Sequence, residues 1–247
     1  MQDVTCCTLL SLPLPFQRIR QGGFVEELQK IKRPETLLSL AYDRIKGLLV
    51  SGQLDFDQIY SANQFAEMLG VSRTPVREAL LQLSAEGLLI PVQGRGFKIK
   101  GFSEKEIKDF FEARLMIETY VISRLVKGIG GEDIKAFQTS LKQMTRSADK
   151  GDICGFLEAD KAFHMNLIHR YTNRLLETIM ENIRNLISIL GQKALSSSGR
   201  IEEVLQEHQA IVEAVEEKDA NKAAKAMSHH LNRTERTIID TLRDQSA

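Results

Sequence analysis

A helix obliged to end in a left-handed residue, followed at once by a second helix with two arginines near its start, constrains this chain most. Ser61-Ala62-Asn63-Gln64 has capping-box form, with Gln64 placed to reach back to Ser61. Phe65, Met68 and Leu69 follow at core spacing, and Gly70 supplies the positive φ that a sharp turn requires. Beyond the turn, Val76, Ala79, Leu80 and Leu83 recur at helical spacing and mark a second buried face. Arg73 and Arg77 are four residues apart and therefore share a second face and point together. Ser72 or Thr74 can cap this helix, and Pro75 is tolerated in its first turn, where no amide proton is needed.

Two further stretches complete a small domain. Leu88 to Val92 and Phe97 to Lys100 are short apolar runs around Gln93-Gly94-Arg95-Gly96, which reads as a β-hairpin with Arg95 at its tip. Upstream, Leu37, Leu40, Ala41, Ile45 and Leu48 fit an amphipathic helix over residues 35–50, and residues 53–60 form a connector with room for one short strand. The sum is a winged helix-turn-helix. Exposed arginines alone are also what a solvated surface carries. Placed at the N-terminus of the second helix of such a motif, they suit phosphates and guanine edges.

The run Val71-Ser72-Arg73-Thr74-Pro75-Val76-Arg77-Glu78-Ala79-Leu80, then Leu83, Glu86-Gly87-Leu88 and Gly94-Arg95-Gly96, resembles the DNA-binding domain of the GntR superfamily of bacterial transcription regulators. The likeness spans about residues 36–100, with one departure: Ala62-Asn63 stands where the family usually has Glu-Arg or Glu-Asn. The resemblance implies that Arg73, Thr74 and Arg77 enter the major groove of double-stranded DNA. It also implies that the wing, Arg95 flanked by Gly94 and Gly96, approaches the minor groove or backbone. A homodimer on a near-palindromic operator follows from the same likeness.

Composition sets outer bounds. The 247 residues carry no net charge, so any nucleic-acid surface must be a local patch. Of the three cysteines, Cys6 and Cys7 are adjacent and Cys154 stands alone, a pattern that fits a reducing cytoplasm and excludes a CxxC metal site. No apolar run approaches the ~20 residues needed to span a bilayer. The apolar stretch from Thr8 to Pro15 lacks a basic flank and holds two prolines, so no secretory signal is expected. Three segments result: a loosely ordered extension over 1–30, with one helical turn near Phe24 to Lys30, a winged helix over 31–101, and a second domain over 102–247.

That second domain reads as an all-α antiparallel bundle. Ser103 with Glu106 makes a capping box, and helices are expected at about 104–126, 132–149, 152–171, 173–195, 200–218 and 219–243. Polar groups sit where apolar ones belong. Asp160 and His164 lie on the stripe of Phe156, Phe163 and Leu167. His208 lies among Ile201, Val204, Leu205, Ile211, Val212 and Val215. His230 shares a face with Ala223, Ala226, Met227, Thr234 and Ile238, whereas His229 lines up with Arg233 and Arg236 on the wet side. Each could be a singly hydrogen-bonded core residue. A carboxylate and three imidazoles facing inward together instead form a normal ligand set for a divalent cation, zinc first, with nickel and manganese as alternatives.

Asp160-Lys161-Ala162-Phe163-His164, Glu207-His208-Gln209-Ala210-Ile211 and Ala226-Met227-Ser228-His229-His230-Leu231 resemble the metal-binding motifs of the FCD-type ligand domain in the FadR-like branch of GntR regulators. The likeness implies Asp160, His164, His208 and His230 as metal ligands. It implies Arg114 as an effector contact facing the same cavity, and Asn173 as a second, although Asn is also a favoured helix cap. The function so implied is a cytoplasmic regulator, a repressor released by a small carboxylate. The alternatives are a metal-dependent hydrolase built on the same four residues, and a regulator whose metal is purely structural and whose effector is larger.

Overall fold

The computed structural model describes residues 35–195 and 199–244. The expected extension over 1–30, its helical turn, Cys6 and Cys7, and residues 196–198 lie outside them. The winged helix opens with α1 (Leu37–Val50), whose N-cap Thr36 accepts from the Ser39 amide at 3.1 Å. Helix α2 (Ala62–Leu69) starts in the capping box of Ser61 and Gln64 and ends at Gly70, φ 65°. Helix α3 (Arg73–Ala85) follows after a two-residue turn, with Ser72 at its N-cap position but making no side-chain capping bond. Val76, Ala79, Leu80 and Leu83 are all fully buried, as their spacing requires.

Three of the apolar positions read as core are instead on the surface. In α2 the buried stripe is Ala62, Phe65 and Ala66, and Met68 lies about a third of a turn off its centre and is 64% exposed. In α1 the stripe packed on α3 is Ala41, Ile45 and Leu49. Leu40 falls outside it, and Leu37 occupies the first turn, where the two leucines line a shallow surface groove with Leu69 and Val71.

The wing is a three-stranded antiparallel sheet of β1 (Ile59–Tyr60), β2 (Leu89–Val92) and β3 (Gly96–Ile99), in the order β1-β3-β2. Tyr60 pairs with Phe97 and Val92 with Gly96. Gly96 has φ +137°, and a Cβ there would stand 2.3 Å from the Tyr60 carbonyl oxygen. No side chain fits that site.

The helical domain comprises α4 (Glu104–Leu125), α5 (Gly131–Asp149), α6 (Ile153–Tyr171), α7 (Arg174–Leu195), α8 (Arg200–Glu216) and α9 (Ala220–Asp244). Ser103 and Glu106 form the capping box of α4, Asp152 caps α6 by accepting from the Gly155 amide at 2.9 Å, and Asn173 caps α7. The main pairings are α4 with α9, α5 with α6 and α8 with α9. Helix α7 also touches the winged helix: Gln192 Nε2 donates to the Ser51 carbonyl at the end of α1, at 2.6 Å. Among the described residues no helix is long and apolar enough to cross a membrane.

The glycine constraint gives a first test. In urea unfolding, Gly94→Ala (φ +68°, open space around it) should cost about 1–2 kcal/mol. Gly96→Ala, where backbone must also move, should cost roughly 3 kcal/mol. A Gly96→Ala protein as stable as the parent would contradict the packing of β1 on β3.

Candidate metal centre and nucleic-acid interface

Arg73, Thr74 and Arg77 are exposed at the start of α3, and Arg95 is exposed at the tip of the wing. The wing turn closes through the Arg95 amide, which donates to the Val92 carbonyl at 3.0 Å. Among the described residues none of these three arginines is held in an ion pair. Their guanidinium groups are therefore available to phosphates or base edges, beside a helix N-terminus whose amides carry partial positive charge.

In the helical domain, α6 brings Asp160 and His164 inward, α8 brings His208 and α9 brings His230. All four are buried, and one ligand atom from each lies within 4.8 Å of every other. The imidazole of His230 stacks on that of His164 with centroids 5.2 Å apart and meets that of His208 edge-on at 4.4 Å. His229, one residue away, points to solvent.

What surrounds the rings assigns their tautomers. His164 Nδ1 meets the Glu118 carboxylate, His208 Nδ1 donates to the Val204 carbonyl at 2.9 Å, and His230 Nδ1 donates to Glu207 Oε2 at 2.8 Å. With each proton on Nδ1, every Nε2 presents a lone pair. The Nε2 atoms of His164 and His208 are buried and have no hydrogen-bond partner among the described residues. His208 Nε2 stands 3.2 Å from Asp160 Oδ1, yet has no hydrogen to share with it. Unpaired acceptors facing a carboxylate are costly unless a cation joins them. The donor set therefore fits a divalent ion, with outer carboxylates and a carbonyl fixing ring orientation as second partners of ligating histidines do.

Electrostatics favour the same protonation states. Burial pushes the imidazole of His164 down to about 3 and that of His230 to about 4, keeping both neutral, the form that ligates. Burial opposes ionisation of Asp160, but Arg184 and the nearby imidazoles outweigh it and hold the carboxyl well below its usual range. Burial likewise opposes ionisation of Glu118, where Arg114 and His164 prevail. Glu207 is drawn down to about 2 because His230 and Arg200 outweigh its burial.

Arg114 is fully buried on α4, but it stands behind His164 rather than in the adjoining cavity. Its Nε donates to Glu118 at 2.6 Å, and its Nη2 lies 3.3 Å from His164 Nδ1, whose proton is directed to Glu118. The arginines that line the cavity are Arg184 on α7, paired with Asp160, and Arg200 on α8. Asn173 is exposed and accepts from the Leu175 and Leu176 amides at 3.1 and 3.2 Å, the bonds of a helix cap. Sequence reasoning passed over Glu118, Arg184, Arg200 and Glu207. A signal existed for two of them: Glu118 shares a stripe with Ile107, Phe111, Val121 and Ile122, and Arg184 one with Met180 and Ile187.

Compared with known proteins, residues 38–99 match the family described as bacterial regulatory proteins, gntR family, and residues 109–233 match the FCD domain. The gluconate operon transcriptional repressor of Bacillus subtilis is 29% identical over 207 residues, spanning 82% of this chain and 84% of that protein. The HTH-type transcriptional repressor GlaR of Escherichia coli is 25% identical over 210 residues, 79% of this chain and 93% of that protein. The solved structure of E. coli McbR/YncC shares the fold with a TM-score of 0.74 at 19% identity, covering 87% of this chain and all (100%) of that one.

A cation held by the four inward side chains makes neighbouring histidines distinguishable. His230→Ala should lower the zinc retained after dialysis by about tenfold or more, while His229→Ala leaves it unchanged, read by elemental analysis. Equal losses would contradict the phase of α9.

Proposed function

Because the chain belongs to the GntR family of bacterial regulatory proteins and carries an FCD domain, we propose that it is a homodimeric repressor whose grip on its operator is set by a divalent metal and a small carboxylate. The observation that carries this reading is the convergence of Asp160, His164, His208 and His230, with partnerless Nε2 atoms on two of the imidazoles. These four residues would hold the ion, zinc first, with nickel or manganese as substitutes. Once bound, the ion supplies a concentrated positive charge that attracts an anionic donor. The matched family and relatives are transcription regulators, not enzymes, which removes the hydrolase alternative.

Arg73, Thr74 and Arg77 are proposed to read the major groove, and Arg95 to contact the minor groove or backbone. One short helix covers only a few base pairs, so two copies on a near-palindromic site supply the specificity. Helix α7 is the proposed link between the two functions. It carries Arg184 beside the cluster and, two turns further on, Gln192 against the last turn of α1. A shift of α7 on effector binding would move the winged helix and change operator affinity by a coupling of about 1–3 kcal/mol.

Two measurements follow, both on a duplex selected by the protein from a random library. Arg77→Ala should lose about 1–3 kcal/mol of specific affinity in fluorescence anisotropy while its circular dichroism stays unchanged. Unaltered affinity would contradict the docking of α3. Gln192→Ala should bind zinc and operator normally but release DNA less completely on addition of an effector acid. Full release would remove α7 from the coupling.

A further inference from the structure

The cavity beside the cluster has a polar end and an apolar body. Asp160, Arg184, Arg200, His230 and Thr234 make the polar end. Phe156, Leu157, Leu195 and Val204, members of one satellite apolar cluster, make half of the remaining wall, and Ile187, Gly191, Ala194 and Thr237 the rest. The space open to the centres of water molecules is about 30 Å³, which suits a small ligand.

The two arginines at the polar end are not equivalent. Arg200 is engaged: its Nη atoms donate to both Glu207 oxygens at 2.7 and 3.1 Å, and Nη2 also reaches Thr234 at 3.1 Å. Arg184 is 1% exposed, its Nη2 is directed to Asp160, and its buried Nε has no partner among the described residues. A cation among the imidazoles would take Asp160 Oδ1, the oxygen beside His208 Nε2, and leave Oδ2 to Arg184. The ion and the Arg184 guanidinium would then face a single counter-charge, whereas Arg114 keeps Glu118 and Arg200 keeps Glu207. Excess positive charge in a buried place demands an anion, and a guanidinium fork fits a carboxylate.

Resting on the regulatory reading above, we infer that Arg184, rather than Arg114, receives the effector's carboxylate, and that the effector is a short aliphatic acid with its hydrocarbon end on Phe156, Leu157, Leu195 and Val204. A polyhydroxylated acid would bury hydroxyl groups against that wall without partners.

The test is calorimetric titration of the zinc-loaded full chain with acetate, isobutyrate and isovalerate, set against isovaleramide and gluconate, with zinc content and operator binding measured on the same preparations. Isovalerate should bind at least about tenfold tighter than the amide or gluconate. Arg184→Met should weaken isovalerate by about tenfold or more with zinc retained, and Arg184→Lys should recover part of the loss. If the Met variant does not accumulate as folded protein, the Lys variant decides by its ratio of isovalerate to isovaleramide affinity, which should fall. Equal binding of isovalerate by Arg184→Met and wild type, or gluconate binding as tightly, would overturn the inference. If none of the aliphatic acids binds while zinc and operator do, the ligand assignment falls and the regulator stands. If isovalerate binds but the operator is held unchanged, Arg184 stands as the receptor and release by this acid falls.

Discussion

Three imidazole lone pairs and one carboxylate directed at the same few ångströms of a helical bundle form the constraint on which the rest of the domain turns. Acceptors brought so close repel one another unless a positive charge lies between them. The surrounding residues hold them there. Glu118, the Val204 carbonyl and Glu207 take the outward ring protons, and Arg114 and Arg200 balance the two carboxylates at 2.6 and 2.7 Å. The outer groups thus form neutral pairs, Arg184 pairs with Asp160 in the same way, and what remains without a partner among the described residues is the inward Nε2 of His164 and of His208. Buried ion pairs are seldom retained for stability alone, since well-packed apolar residues serve as well or better. Their concentration around one point is the mark of a site.

The bundle and the winged helix are joined by more than a tether. Helix α7 passes from Arg184, against Asp160, to Gln192, against the Ser51 carbonyl, within the length of about two helical turns. A Cβ on Gly52 would stand 1.7 Å from Gln192 Oε1, so a side chain there would have to turn the Gln192 amide away from the end of α1. A rigid helix with its middle at a charged site and its last turn against the end of α1 can carry a small displacement across the molecule.

Much of this was legible in the sequence, and what was not has identifiable causes. Capping boxes at Ser61 and Ser103, the left-handed Gly70 and the core stripe of α3 are local, so spacing alone specified them. The four inward polar residues stood out because each interrupts an apolar stripe on its own helix. Met68, Leu37 and Leu40 were misplaced because on a short or terminal helix a stripe can be rotated without breaking its period, and only the packing partner fixes the phase. The cavity's arginines were hidden for another reason. Arg184 is 24 residues from Asp160 and Arg200 is 34 from Thr234, so their pairing depends on helix packing that no local pattern encodes. Arg114 was placed by likeness, and the Glu118 four residues along draws it behind His164.

The centre itself is open to direct observation. X-ray absorption at the zinc edge of the purified, zinc-loaded protein reports which atoms surround the ion. The expected shell is nitrogen and oxygen near 2.0–2.2 Å, with outer-shell scattering from three imidazoles. A shell containing sulfur, or imidazole scattering too weak for more than one ring, would contradict it.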